Sequence, residues 1–368
     1  MGNYYIPEIS ALIVSFILTL VVTPVVIRMC KLRGLYDLPN SRKMHKTAIP
    51  RLGGVVFLPC MIAGFATGLS CEYGGVNKSL DINISTIGMA SGAIIIYMIG
   101  VLDDIKEMRA LNKFMIQLFA AMIFPFCNLI INDRHGLFGL HEIPFILSYP
   151  FTVFVILLIV NAMNLIDGID GLSSGLAAII LCVFGVLYAQ LNAITFSALS
   201  FGLAGAVIAF FIYNMFGKVG GYKVFMGDSG SLLIGYVIAY LAIKYQMSNG
   251  IVLPYRENSL LISYTLLIIP TFDLVRVALS RLFMRKGIFT PDKTHIHHCI
   301  MQTGVSMRLT LVIIISLFIL FCLTNLALYF NDIDITIIAF VDIFIYALFV
   351  FIIKKFKANN PNTSVCQN

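Results

Sequence analysis

Apolar runs of membrane-crossing length recur along almost the whole chain, each ending in a short polar stretch. Eleven windows are long enough to span a bilayer as helices: about 8–28, 53–70, 84–102, 114–131, 147–165, 175–190, 195–214, 229–247, 259–278, 309–329 and 335–353. Lipid offers no partner for a free backbone amide, so the pattern predicts helices in a bundle rather than strands. The expectation is an all-α multi-pass membrane protein with one transmembrane domain over residues 1–354 and a disordered tail over 355–368.

Composition agrees with the pattern. The 368 residues are 59% hydrophobic and 12% charged, with a mean hydropathy of +0.94, which excludes an ordinary soluble domain. Trp is absent, so Tyr is the residue expected at the membrane interfaces. The first apolar stretch lacks a basic leader, so no cleavable signal is expected. Eight cysteines without paired spacing predict neither a disulfide framework nor a zinc knuckle.

Charge orients the bundle. Of the 25 Lys and Arg, 21 fall in alternate loops and the C-terminal tail, and only Lys78, Arg134, Lys244 and Arg256 fall on the other side. The positive-inside rule therefore predicts an N-terminus outside and a C-terminus in the cytoplasm. The net charge of +7 becomes a one-sided field facing the anionic leaflet and anionic cytosolic substrates, not a nucleic-acid surface.

The polar residues that carry chemistry sit in the same loops. NAMNLIDGIDGLSSG (161–175) follows the hydrocarbon run FTVFVILLIV and places Asp167 and Asp170, each followed by Gly, at its end. A carboxylate at a lipid boundary is costly unless something binds it. GVLDDIKEMRALNKF holds Asp103 and Asp104, which repel unless a cation is near, with Lys113 beyond them. KVFMGDSGS places Asp228 in a glycine-rich turn opening a helix, suited to close approach of an anionic ligand. TPDKTHIHH brings His295, His297 and His298 beside Cys299; the spacing does not suit zinc, and the surrounding cations suit phosphate or sugar hydroxyls. The basic first loop reads from its charge as a topology determinant drawn to lipid head groups; its Asp37, Asn40, Arg42, Lys43 and His45 offer a second role in reaching a lipid phosphate at the interface. Taken together, hard oxygen ligands beside cations point to Mg²⁺, with Mn²⁺ as the alternative, and to phosphoryl transfer. Asp273 is expected to pair with Arg276 one turn on, and Asp342 has no evident partner.

GVLDD, NAMNLIDGIDGL, KVFMGDSGS and TPDKTHIHH, in this order and on one face, resemble the polyprenyl-phosphate N-acetylhexosamine-1-phosphate transferases, glycosyltransferase family 4, over residues 30 to 305. Within the family the chain looks most like the bacterial undecaprenyl-phosphate N-acetylglucosamine-1-phosphate transferases. The phospho-MurNAc-pentapeptide transferases share the acidic motifs but differ in the histidine loop. The resemblance implies transfer of a sugar 1-phosphate from a UDP-sugar to undecaprenyl phosphate at the cytoplasmic face of a bacterial inner membrane. It places Asn164 and Asp228 on the metal and Asp103 and Asp104 at the catalytic centre. Asp167, Asp170, Lys113, His45, His295, His297 and His298 would bind substrate. Its partners would be the nucleotide sugar, the lipid and, as a protein partner, a second copy of the chain. Lys106, Glu107 and Arg109 match no family stretch. The rival from another class is a secondary transporter, which Asp273 and Asp342 keep in play.

Overall fold

The computed structural model describes residues 5–37, 48–73, 84–133, 135–247, 253–287 and 294–359. His45, Asn40, Arg42 and Lys43 lie outside them. The described residues sort into two compact units: residues 1–131 with 146–255, and residues 132–145 with 256–368.

The first unit contains α1 (Ile6–Arg33), α2 (Phe57–Tyr73), α3 (Ile84–Lys106), α4 (Ala110–Phe126), α5 (Phe145–Leu165), α6 (Leu172–Gln190), α7 (Ile194–Phe216) and α8 (Gly227–Gln246). The second contains α9 (Ser259–Phe283), the short α10 (Ile296–Met301), α11 (Met307–Phe330) and α12 (Ile335–Asn359). Each of the eleven apolar windows thus holds one helix. Nine segments among the described residues are long and apolar enough to cross a membrane. Helix α4, at 17 residues, is about 25 Å long at 1.5 Å per residue, and α8 is not among the nine. The chain is therefore an all-α multi-pass membrane protein. Helix α12 runs on to Asn359, past the end expected for the last span.

Helix α1 shows how lipid inverts the usual amphipathic pattern. Its outward stripe at i, i+4 spacing is apolar: Ile9, Ile13, Ile17, Val21 and Val25 are all exposed. Its buried stripe is small and polar: Glu8, Ala11, Ser15, Thr19 and Thr23. Lipid tails are as apolar as leucine, so close packing and hydrogen bonds decide which face turns inward. Helices α2 and α7 receive that face. The helix ends at Gly34, in left-handed conformation, whose N–H caps the Cys30 carbonyl.

Helix α8 is the opposite case, buried continuously from Ser229 to Tyr245. Tyr236 and Tyr240 are fully buried against Phe124 of α4, at ring distances of 4.6 and 5.6 Å. The Tyr236 hydroxyl donates to the Ala120 carbonyl at 3.0 Å. Helix α3 packs closely along α8; a Cβ on Gly100 would lie 2.5 Å from the Ser229 Cα.

The only strands among the described residues are β1 (Tyr36–Asp37) and β2 (Ile49–Pro50), an antiparallel pair that the periodicity did not predict. Their role is to hold the start of α8. Phe225 N–H donates to the Pro50 carbonyl at 2.8 Å. Gly53 and Gly54 N–H donate back to the carbonyls of Phe225 and Met226, at 2.9 and 2.7 Å.

Candidate active site

At one end of the first unit, α3 stops, α4 starts, α5 stops and α8 starts, and their polar termini meet. Asp228 opens α8 and collects three of the predicted residues. Lys113, in the first turn of α4, bridges Asp228 to Asp103, whose Oδ2 lies 3.3 Å from the ammonium. Asn164, in the last turn of α5, donates its amide to Asp228 Oδ1 at 2.5 Å and to the Ser231 hydroxyl at 2.8 Å.

The two adjacent acids part company. Asp104 is buried, and its oxygens accept the backbone N–H groups of Asp228 (2.8 Å) and Ser229 (3.0 Å). It supplies from another helix the capping that α8 lacks locally. Gly227 has φ +73°, and a Cβ there would meet Asp104 Oδ1 at 2.6 Å, so only glycine lets the turn close on that carboxylate. Asp103 meets the side chains of Lys113 and Asp228 instead of the backbone of the turn. Its Oδ1 accepts Met108 N–H at 2.6 Å, because Glu107 turns the chain back through a left-handed conformation at φ +50°. Glu107 pairs in turn with Arg51 at 3.0 Å. The stretch that matched no family pattern therefore ties α3 to the β2 side of the loop.

Asp167 and Asp170 lie in the turn between α5 and α6. Burial, and then the Asp228, Asp170 and Asp104 carboxylates, raise the Asp167 carboxyl well above its usual range. Asp170 pairs with Lys223 at 2.5 Å, and Lys223 also donates to the Asn214 carbonyl at 2.5 Å. Asn214 joins the two loops: its Oδ1 accepts Gly171 N–H at 2.7 Å and its Nδ2 donates to the Val224 carbonyl at 3.0 Å. Sequence reasoning passed over Lys223, Asn214 and Ser231. Lys223 carried a signal, being the basic residue five positions before Asp228, but nothing in the chain announces Asn214.

The donor set suits a divalent cation bound mainly by substrate phosphates. Among the described residues no group of three or more His, Cys, Asp or Glu forms a protein cage. Mg²⁺ commonly takes only one or two carboxylates and completes its shell with water and phosphate. Burial and the neighbouring carboxylates both disfavour charge on Asp167, and an added cation would offset the second of these. Asn164 now turns its N–H toward Asp228; rotation of the amide would offer its oxygen instead.

The second unit carries the histidines. His295 precedes α10 and pairs through Nδ1 with Asp273 Oδ2 at 2.8 Å. His297 is buried, stacks on His295 at 6.0 Å with planes 9° apart, and lies 4.3 Å from His298. Burial pushes His297 down to about 3, and both its ring nitrogens lack a hydrogen-bond partner among the described residues. The predicted Asp273–Arg276 pair forms at 2.6 Å. Asp342, unexplained in the sequence, accepts the Asn325 amide at 3.0 Å, and the same amide donates to the Thr265 hydroxyl at 2.9 Å.

A multi-pass helical membrane protein with acids, an amide and lysines gathered at its helix ends belongs among the enzymes that handle phosphates at a bilayer. Comparison with known proteins makes the class specific. Residues 86–246 match the family described as Glycosyl transferase family 4. The chain is 32% identical to the "Probable undecaprenyl-phosphate N-acetylglucosaminyl 1-phosphate transferase" of Bacillus subtilis (strain 168), covering 87% of this chain and 84% of that protein. It is 30% identical to the undecaprenyl-phosphate alpha-N-acetylglucosaminyl 1-phosphate transferases of Escherichia coli O157:H7 and Yersinia pestis. These alignments cover 78% and 76% of this chain, and 74% and 73% of those proteins. The chain belongs to glycosyl transferase family 4, the polyprenyl-phosphate N-acetylhexosamine-1-phosphate transferases.

Proposed function

We propose that the protein transfers N-acetylglucosamine-1-phosphate from UDP-N-acetylglucosamine to undecaprenyl phosphate, giving the lipid diphosphate sugar and UMP. The observation that carries this reading is the junction of Asp103, Lys113, Asn164 and Asp228 at the ends of four helices, within the family's matched region. Such a product would start a cell-surface glycan. The chain acts as one transferase domain over residues 1–354, with eleven spans, N-terminus outside, and the junction on the cytoplasmic face of a bacterial inner membrane.

In the reaction a lipid phosphate oxygen attacks the sugar-bearing phosphorus. A new P–O bond forms, the bond to the bridging oxygen breaks, and UMP leaves with that oxygen; the sugar keeps its anomeric C–O bond. Asp228 and the carbonyl of Asn164 would hold Mg²⁺, or Mn²⁺ in its place. When bound, that ion supplies charge neutralisation at the diphosphate. Lys113, seated between two carboxylates, would exchange one of them for a substrate phosphate. Asp103 keeps the lysine in place and is the acid nearest to a free role at the attacking group. Asp104 serves through the α8 turn that aims Asp228. Asp167 and Asp170 shape the nucleotide side, with Lys223 fixing Asp170, and His45, His295, His297 and His298 are assigned to substrate. A lipid phosphate is largely ionised near neutral pH, so direct attack needs no strong base and no aspartyl intermediate.

Membranes containing the protein, given labelled UDP-N-acetylglucosamine and undecaprenyl phosphate, should yield lipid-linked label and UMP. Uptake of label without a lipid product would instead place the chain among transporters. A panel of UDP-sugars reads the donor, with UDP-N-acetylgalactosamine as the nearest competitor. Asp228→Ala should abolish Mg²⁺-dependent turnover; near-wild-type activity would remove Asp228 from the metal.

A further inference from the structure

Asp273 is a buried charge in α9 that the transfer reaction above does not use. Both of its oxygens are committed. Oδ1 accepts from the Arg276 guanidinium at 2.6 Å, from Ile296 N–H at 2.9 Å and from the Tyr346 hydroxyl of α12 at 3.4 Å. Oδ2 is paired with His295 Nδ1 at 2.8 Å. Arg276 reaches on to the Thr294 carbonyl at 2.5 Å, so one ion pair grips three consecutive residues, 294 to 296.

We propose that Asp273 is a positioning residue for the histidine cluster, acting through His295. Anchoring the segment to α9 needs only Oδ1, which already takes the backbone of Ile296 and the guanidinium. The second oxygen is spent on one particular ring nitrogen. A carboxylate paired with a guanidinium only accepts, so Nδ1 must carry the proton. That leaves Nε2 as the ring atom not engaged by Asp273, and with the residue only 5% exposed it is the one polar edge left for a substrate hydroxyl or phosphate. The ring plane is fixed at the same time, and the parallel ring of His297 packs at 6.0 Å on it. Asp273 thus governs which hydrogen-bonding edge His295 presents. This rests on the histidines binding substrate in the proposed transfer.

The test is a double-mutant cycle on the full-length protein in nanodiscs, using Asp273→Asn, His295→Ala and the pair, with kcat and KM measured for UDP-N-acetylglucosamine. Asn keeps the volume and can still accept on one atom, but its amide would donate to Nδ1 and reverse the tautomer. Asp273→Asn should lower kcat/KM by about 10–100-fold, the scale known for partners that orient metal-bound histidines and taken here for one that binds substrate. The double variant should be no worse than His295→Ala alone, because both changes remove one interaction. Additive losses in the double variant, or wild-type kcat/KM in Asp273→Asn, would overturn the proposal. Because Asp273→Asn also unpairs Arg276, kcat/KM is compared where both proteins are folded; a loss that disappears when corrected for the folded fraction would also overturn it. If the wild-type protein makes no lipid-linked product, the transferase reading itself falls. In that case titration with UDP-N-acetylglucosamine, which needs no turnover, reads the same cycle in binding.

Discussion

Asp103 and Asp104 are neighbours in the chain but serve different partners, and their substitutions should separate accordingly. Asp104→Asn replaces an acceptor by a donor facing the N–H of Asp228 or Ser229. A buried amide left unsatisfied costs about 1–3 kcal/mol, so the melting temperature should fall together with activity. Asp103→Asn disturbs a residue that accepts Met108 N–H, pairs with Lys113 and faces the Asp228 side chain, whereas Asp104 holds the Asp228 backbone. It should keep its melting temperature while turnover drops about 100-fold, the scale of losing a group that fixes charge at the reacting centre, here through a displaced Lys113. Thermal unfolding and product formation on the same preparations check both; equal behaviour of the two variants would contradict the division of roles. Asp167 allows a pH prediction. Its carboxyl is raised in the folded protein, so the native state holds the proton more tightly than the unfolded chain does. Stability from this group is therefore highest at low pH and is lost as pH rises above the ordinary carboxylate range. In EDTA, Asp167→Asn should melt above the wild type at neutral pH, with the gap closing toward acid pH, and Mg²⁺ should narrow it at neutral pH. A gap independent of pH would count against the buried, acid-flanked carboxylate as its cause. At this scale the acids themselves were legible, because a carboxylate ending a hydrocarbon run stands out. Their partners were not: Asp104 and Ser229 are 125 positions apart, and no local pattern encodes that pairing.

Among the elements, α8 concentrates the most consequences. Its first turn is held by Asp104 from α3 and by the 50–54 segment, and its body is enclosed along its length. Gly227→Ala would place a side chain in the left-handed region, costing about 1–2 kcal/mol. The same Cβ would press on Asp104 and the Arg51 carbonyl, and overpacking adds about 1–3 kcal/mol. The expected result is a lower melting temperature and loss of Mg²⁺-dependent product formation, while Gly220→Ala in the preceding loop, which shares the left-handed φ (+79°) but has open space around its Cβ, should change turnover far less. Equal effects from both would show that α8 is not set by this turn. Helices were legible because apolar length is a property of one segment. The β1–β2 pair and α10 were not, since two-residue strands and a six-residue helix are too short to leave a period.

For the whole molecule, orientation is the claim with the widest reach, since it decides which compartment supplies the nucleotide sugar. The charge bias that sets it was readable without any structure: basic residues accumulate beside helix ends on one side, and translocating them is disfavoured. The junction of Asp103, Lys113, Asn164 and Asp228 shares its ends of α3, α4 and α8 with basic loops holding Lys106, Arg109, Lys218 and Lys223, so the site and the bias make one prediction. Native cysteines can test it. Cys71 is exposed near the end of α2, on the side expected to face outward. Cys366, in the C-terminal tail, is expected in the cytoplasm. In intact cells a membrane-impermeant maleimide should label a variant whose only cysteine is Cys71. A variant whose only cysteine is Cys366 should be labelled only after permeabilisation; Cys127 and Cys299, both partly exposed, are among those replaced. The reverse order, with Cys366 labelled in intact cells, would invert the topology and put the acidic junction outside, where UDP-sugars are not supplied.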